Sequence, residues 1–240
     1  MASDYWKWKF RDVRPEEKRE LTAEEKRRNW WHYHKWHIAL GIVLAVFAGS
    51  LIWQVLGIGE IEPDCRVAYV GSTLLPDGTA AALETALSAL GEDLNGDGQA
   101  VVSLQQYVSG GEADMMGTTA TAAVQLMADI VEGESYFFLL EDPEQFQQAY
   151  HALRRLDGSL PEEDASAEGT YLAWDACPVL RQLDLGGYSY EVMGQTVAGD
   201  SQELLSGLFF ARRGYWTEED APYPEGCGAL WERLTEGAVS

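Results

Sequence analysis

The sequence predicts an α/β protein, with one transmembrane helix followed by a mostly parallel three-layer sheet domain. Three observations carry this reading. Residues 38–58 form a run without a single charged side chain. Downstream, short β-branched or aromatic runs alternate with stretches of helical period. The cations gather on the N-terminal side of the apolar run.

The apolar run, IALGIVLAVFAGSLIWQVLGI, has Ser50 and Gln54 as its only strongly polar side chains. At 1.5 Å per residue, about 20 apolar residues cross a hydrocarbon core of about 30 Å, so the run is read as a span. Ten of the 17 cations precede it, and the seven that follow are all arginine. Positive charge stays on the cytoplasmic side, which puts the N-terminus inside and the C-terminal domain outside. The charged lead is too long for a cleaved signal and no small-x-small site follows, so an uncleaved anchor is expected. The expected layout is a charged cytoplasmic tail with an aromatic juxtamembrane segment at 1–37, the transmembrane helix at 38–58, and an extracytoplasmic domain at 59–240.

The tail carries seven acids against its ten cations, a balance of +3 that leaves −25 of the total −22 for the rest. So acidic an exterior repels nucleic acid and anionic lipid, and nucleic acid is excluded as a partner. The tail itself reads as a solvated helix with a capping box at Thr22 and Glu25. The segment NWWHYHKWH that follows reads as an aromatic belt at the bilayer surface, with the bilayer itself the partner of residues 38–58.

In the outer domain, residues 66–71 read as a strand ending at glycine. A helix follows with Leu83, Ala86, Leu87 and Leu90 on its apolar face and Gly91 as its stop. Residues 100–108 read as a second strand, and 120–132 as a helix with Val124, Met127 and Ile130 on one side. SYFFLL at 135–140 is apolar throughout, as befits a central strand covered on both faces. Asp142 and Pro143 open a helix predicted to run through Arg155. Strand and helix in alternation imply a mostly parallel sheet. Beyond it, 161–169 is an acidic loop, 188–193 alternates like a strand, 204–211 fits helix or strand, and 227–235 reads as a closing helix. Three cysteines allow one disulfide, for which Cys177 with Cys227 is the expected pair, leaving Cys65 over.

The sharpest local motif is DLNGDGQ at 93–99. Asp93, Asn95, Asp97 and Gln99 place oxygens at alternate positions with glycine at the sixth, the arrangement that lets a loop fold around a hard cation. It resembles the opening of EF-hand and dockerin loops, which implies Ca2+. The twelfth position is Leu104 instead of a chelating acid, so Glu92, Asp114 or another acid would have to substitute. The same residues also serve as an Asn-Gly/Asp-Gly turn. Catalytic signatures are missing: the outer domain has one histidine, His151, and none of HExxH, GxSxG, the phosphate loop or CxxC. The domain is therefore read as non-catalytic, with a surface hydrolase as the second alternative. Tyr215 and Trp216, beside Arg212 in a cation-poor region, are the candidate ligand-binding residues, facing an extracellular small molecule or protein.

The helix leading into Gly133-Glu134-Ser-Tyr-Phe-Phe-Leu-Leu-Glu-Asp142, with Phe146 following, resembles extracellular solute-binding proteins, as does Leu204-Leu-Ser-Gly-Leu-Phe-Phe-Ala-Arg-Arg-Gly214. The resemblance covers about 80 residues, with Ser135 where that pattern prefers Asp, and implies a fold like one periplasmic-binding-protein lobe. The wider layout of charged tail, WxYHKWH lead, single span and acidic exterior resembles single-pass membrane proteins of anaerobic Gram-positive bacteria. What this implies is a membrane-anchored binding protein, possible calcium stiffening included, or alternatively a structural or interaction module of the envelope. It transfers no ligand and no site residues.

Overall fold

The computed structural model describes residues 22–55, 62–109, 119–162, 166–192, 194–214 and 222–239. The readings of the tail before residue 22, the last turn of the apolar run and the middle of the acidic loop lie outside them. Chain contacts divide the molecule into two units, Met1–Glu60 and Ile61–Ser240.

The first unit holds α1 (Ala23–Val55), one unbroken helix of 33 residues that joins the aromatic segment to the apolar run. Its start is the expected capping box: Thr22 Oγ1 accepts from Glu25 N at 3.4 Å, and the Glu25 carboxylate accepts from Thr22 N at 3.0 Å. At 1.5 Å per residue the helix is about 50 Å long, well beyond a hydrocarbon core. Among the described residues it is the one helix long and apolar enough to cross a membrane, and none of its apolar window is buried in protein.

The second unit is α/β. In chain order it contains β1 (Cys65–Gly71), α2 (Asp77–Leu90), β2 (Val102–Val108), α3 (Thr119–Glu132), β3 (Phe137–Leu140) and α4 (Pro143–Tyr150). Then come β4 (Tyr171–Ala173), a 3-10 turn at Trp174–Ala176, α5 (Pro178–Arg181), the hairpin β5 (Gly187–Val192) and β6 (Gln195–Asp200), α6 (Ser201–Leu205), β7 (Phe209–Arg212) and α7 (Pro224–Leu234). Five strands form one sheet in the order β2-β1-β3-β7-β4, and the hairpin pairs only with itself.

The sheet is mixed. β1 pairs parallel with β2 and β3, whereas β7 pairs antiparallel with both β3 and β4. A parallel neighbour needs a crossover of a dozen residues or more. The first three strands have such crossovers, whereas the chain from β4 runs through α5, the hairpin and α6 and brings β7 back antiparallel. The ambiguous 204–211 stretch is thus divided, ending α6 at Leu205 and opening β7 at Phe209.

Alternate side chains of the strands feed two cores. Val67, Tyr69, Phe137, Leu139 and Phe210 meet Leu83 and Leu87 of α2 and Leu230, Trp231 and Leu234 of α7. On the opposite face Ala68, Phe138, Leu140 and Ala211 meet Leu126 and Ile130 of α3 and Phe146 of α4. Helices on both faces make three layers, with the wholly buried Phe137–Leu140 strand in the middle as its composition predicts.

Three expectations are corrected. First, α3 buries Leu126, Asp129 and Ile130 and exposes Val124 and Met127, because the Asp129 carboxylate is tied inward. Second, α4 stops at Tyr150, five residues short of Arg155. His151 adopts a left-handed φ of 49°, and Gln147 Oε1 then accepts from Leu153 N, turning the chain towards a bridge with Arg213. Third, the disulfide joins Cys65 to Cys227, and Cys177 is a buried free thiol. Cys65 opens β1 under α7, which carries Cys227, whereas Cys177 follows β4, three strands further along the sheet.

The bridge closes a loop of 162 residues. The chain-entropy relation gives about 5 kcal/mol for a loop of that size. Reduction is therefore expected to lower the urea midpoint of the full chain in detergent sharply, and Cys177→Ala is expected to keep that drop. Peptide mapping of protein alkylated before extraction should find Cys65 linked to Cys227. An alkylated Cys65, or a midpoint indifferent to reductant, would refute the assignment.

Candidate functional site

β1 and β3 lie side by side and end level with each other, at Gly71 and Leu140. From there the chain departs to opposite faces of the sheet: β1 leads to α2 in one core, β3 to α4 in the other. Such divergence at neighbouring parallel strands leaves a crevice beyond their carboxyl ends. Here the crevice is a cavity of about 190 Å³. Val70, Leu126, Phe146 and the α3 alanines Ala122 and Ala123 form its apolar wall, and Ser72, Ser109, Glu141, Asp142 and Gln145 supply polar groups.

The polar groups are fixed by the backbone. Glu141, the residue after β3, accepts from Ser72 N at 2.8 Å and lies 3.0 Å from the Tyr69 hydroxyl, which is also 2.9 Å from the Thr73 carbonyl. Asp142 caps α4 by accepting from Gln145 N at 2.9 Å. Gly71 makes this closeness possible: a Cβ there would overlap the Tyr69 hydroxyl and stand 2.7 Å from Glu141 Oε1. Burial, and then the negative charge of Glu141, push the Tyr69 phenol well above its ordinary range and keep it a donor.

Behind the cavity lies a buried polar cluster. The Asp129 carboxylate accepts from the Tyr107 hydroxyl at 2.6 Å, the Ser135 hydroxyl at 2.6 Å and Ser135 N at 2.9 Å. Burial and the bond to Asp129 raise the Tyr107 phenol strongly as well. Arg213 donates to the carbonyls of Asp129, Ile130 and Ser135, placing a cation on the C-terminal end of α3, where the helix dipole is negative.

The residues singled out from sequence sit elsewhere. The 93–99 loop lies at the other end of β1, separated from the crevice by the strand's seven residues, about 23 Å at 3.3 Å each. Asp93 accepts from Gly96 N and Gly98 N, Asn95 Oδ1 from Asp97 N, and Asp97 Oδ1 from Gln99 N. The buried Asp64, which sequence reading passed over, clamps the loop by accepting from Leu94 N, Asn95 N and Val101 N. Among the described residues no group of three or more His, Cys, Asp or Glu side chains is placed to hold a metal ion. Arg212 is paired with Phe137 at the start of β3, again at the far end. Its guanidinium stacks 5.4 Å from the Trp231 ring centre and donates to the carbonyls of Arg155 and Leu156. Tyr215 and Trp216 lie outside the described residues. Sequence reading missed Gly71, Ser72 and Glu141. The available signal was two strand-like runs ending in glycine or acid, but that identifies a crevice only once strand order is known.

Two measurements follow. Tyr69 and Tyr107 titrate higher when folded than the ordinary phenol near pH 10, so the stability they contribute is complete below about pH 10 and declines as pH rises further. Cys177, pushed up by burial from 9.0 to about 11, acts with the same sign from about pH 9. Melting temperature in a Cys177→Ala background is expected to fall between pH 9.5 and 11 by the order of several degrees, and Tyr69→Phe with Tyr107→Phe should flatten that fall. An unchanged slope would count against the assignment. For the 93–99 loop, a calcium-dependent rise in melting temperature that Asp97→Ala abolishes would establish the ion, and no rise in the parent leaves a turn.

No protein-family model, no curated protein and no solved structure matches this chain.

Proposed function

We propose that the chain is a membrane-anchored extracytoplasmic binding protein that holds a small solute in the crevice beyond β1 and β3, without catalysis. The observation that carries this is the crevice itself: a concave site with one apolar wall and a few fixed polar groups, where open α/β sheets hold their ligands. It is small. At about 30 Å³ per water, 190 Å³ is the room of about six water molecules. Two larger hollows, of about 490 and 290 Å³, lie at the other end of the strands around Arg66, Glu132 and Glu134, where Arg66 is already paired with Glu134.

Binding is favoured over chemistry because the acids of the crevice have structural duties: Glu141 fixes the turn after β1 and Asp142 caps α4. The exterior placement is supported by the cation asymmetry and by the Cys65–Cys227 disulfide, a bond that persists in oxidising compartments. A calcium ion at Asp93, Asn95, Asp97 and Gln99 would stiffen the base of the domain, away from the crevice. The rival reading, an interaction module, is favoured by one feature, the exposed Val124, Met127 and Val131 on α3.

The test is to fill the crevice. Ala123→Trp is expected to abolish any solute-induced rise in melting temperature shown by the full chain in detergent, while leaving its own melting temperature within a few degrees of the parent. A solute whose effect survives Ala123→Trp binds elsewhere. If no member of a panel of amines, amino acids, sugars and organic acids raises the melting temperature, the crevice is no binding site.

A further inference from the structure

We infer that the crevice selects a small organic cation, a primary ammonium on a short apolar body. This rests on the reading of the crevice as a binding site and adds the chemistry of what it holds. Among the described residues the charged groups lining it are Glu141 and Asp142, with no lysine, arginine or histidine beside them. An anion placed there would lose its hydration without gaining a positive partner, and the −25 carried by the chain beyond residue 37 would repel its approach.

The two carboxylates are positioned yet only partly occupied. Each offers about four lone-pair sites. Glu141 gives one to Ser72 N and one to the Tyr69 hydroxyl, and Asp142 gives one to Gln145 N. The remaining sites accept only, so the complement is a group that donates only. An ammonium has three donors and no acceptor, and the Ser72, Ser109 and Gln145 side chains supply further acceptors.

The rest of the cavity decides against a bare metal ion. A hard cation such as Ca2+ demands six to eight oxygens around it, whereas one side of this wall is Val70, Ala122, Ala123, Leu126 and Phe146. Those side chains suit methylene groups. The Phe146 ring lies 5.1 Å from that of Tyr150, and both line the cavity, which gives the cation's body an aromatic surface. Volume limits the body to a few carbons.

Butylammonium, butanol and butyrate each have four carbons and differ in head-group charge, so they separate the possibilities. In ligand-observed NMR titrations of the full chain in uncharged nanodiscs, butylammonium is expected to bind at least tenfold more tightly than the other two. Its affinity should weaken as salt rises, because the attraction is screened. Glu141→Gln and Asp142→Asn should each weaken it about tenfold or more. Asp142→Asn is the cleaner variant, since asparagine caps a helix as well as aspartate does. Butanol or butyrate binding as tightly, with Ala123→Trp abolishing it, would overturn the cation and leave the crevice a binding site. Butylammonium binding that survives Ala123→Trp or Asp142→Asn would also overturn it. If none of the three binds while another solute acts through the crevice, the cation inference alone fails; if no solute does, the crevice reading fails with it.

Discussion

Four consecutive buried apolar side chains, Phe137–Leu140, impose the architecture on everything around them. A strand with no polar face must be covered twice, since each large side chain left in water would forfeit about 1.5–3 kcal/mol. One face is covered by α2 and α7, the other by α3 and α4. Aromatic packing reinforces the first: Phe137, Phe210 and Trp231 form a near-parallel trio, Phe210 lying 5.5 Å from Phe137 and 5.0 Å from Trp231, and those two 6.4 Å apart. Because coverage is required on both sides, the chains leaving β1 and β3 part company, and the gap between them becomes the crevice. The candidate site is therefore a consequence of how the core is closed.

The buried cluster around Asp129 explains the least expected feature, a helix that turns an acid inward and valines outward. A lone carboxylate buried in α3 would be costly, but three donors from Ser135 and Tyr107 converge on it. Arg213 completes the end of the helix through three carbonyls. Rotating α3 to bury Val124 and Met127 would forfeit these bonds while leaving Asp129, Tyr107 and Ser135 partly unsatisfied, a loss of the order of 1–3 kcal/mol per buried group. The burial gained at Val124 and Met127 would itself be offset by what Leu126 loses, so nothing balances that cost. The rotation actually adopted also points Leu126, Ala122 and Ala123 at the crevice, so the polar cluster sets the shape of its apolar wall.

Local chemistry made much of the fold legible. Gly71 and Gly91 marked element ends, Thr22 and Glu25 the start of α1, and the unbroken apolar run at 137–140 a central strand. Long-range pairing was not legible. Cys177 lies closer to Cys227 in sequence than Cys65 does, yet strand order puts Cys65 beneath α7. The direction of β7 depends on the path the chain takes from β4 through α5, the hairpin and α6, and the face of α3 on a carboxylate whose partners are Tyr107 and Ser135. The crevice was hidden for the same reason. Gly71 and Glu141 are 70 residues apart and meet only because β1 and β3 are neighbours.

The two ends of the parallel strands hold different kinds of structure. At the amino ends, Asp64 clamps the 93–101 turn with three amide bonds and Cys65 is fastened to α7, so the point where the chain enters the domain is tied covalently to its last helix. At the carboxyl ends of β1 and β3 the turns are held by hydrogen bonds, Glu141 accepting from Ser72 N and the Tyr69 hydroxyl and Asp142 from Gln145 N. The crevice, a strand's length away, keeps its geometry because β1 and β3 are held by both cores. Strand ends fixed in this way are ordered by the fold itself, so the proposed ligand would meet less of the ordering cost that flexible sites incur on binding.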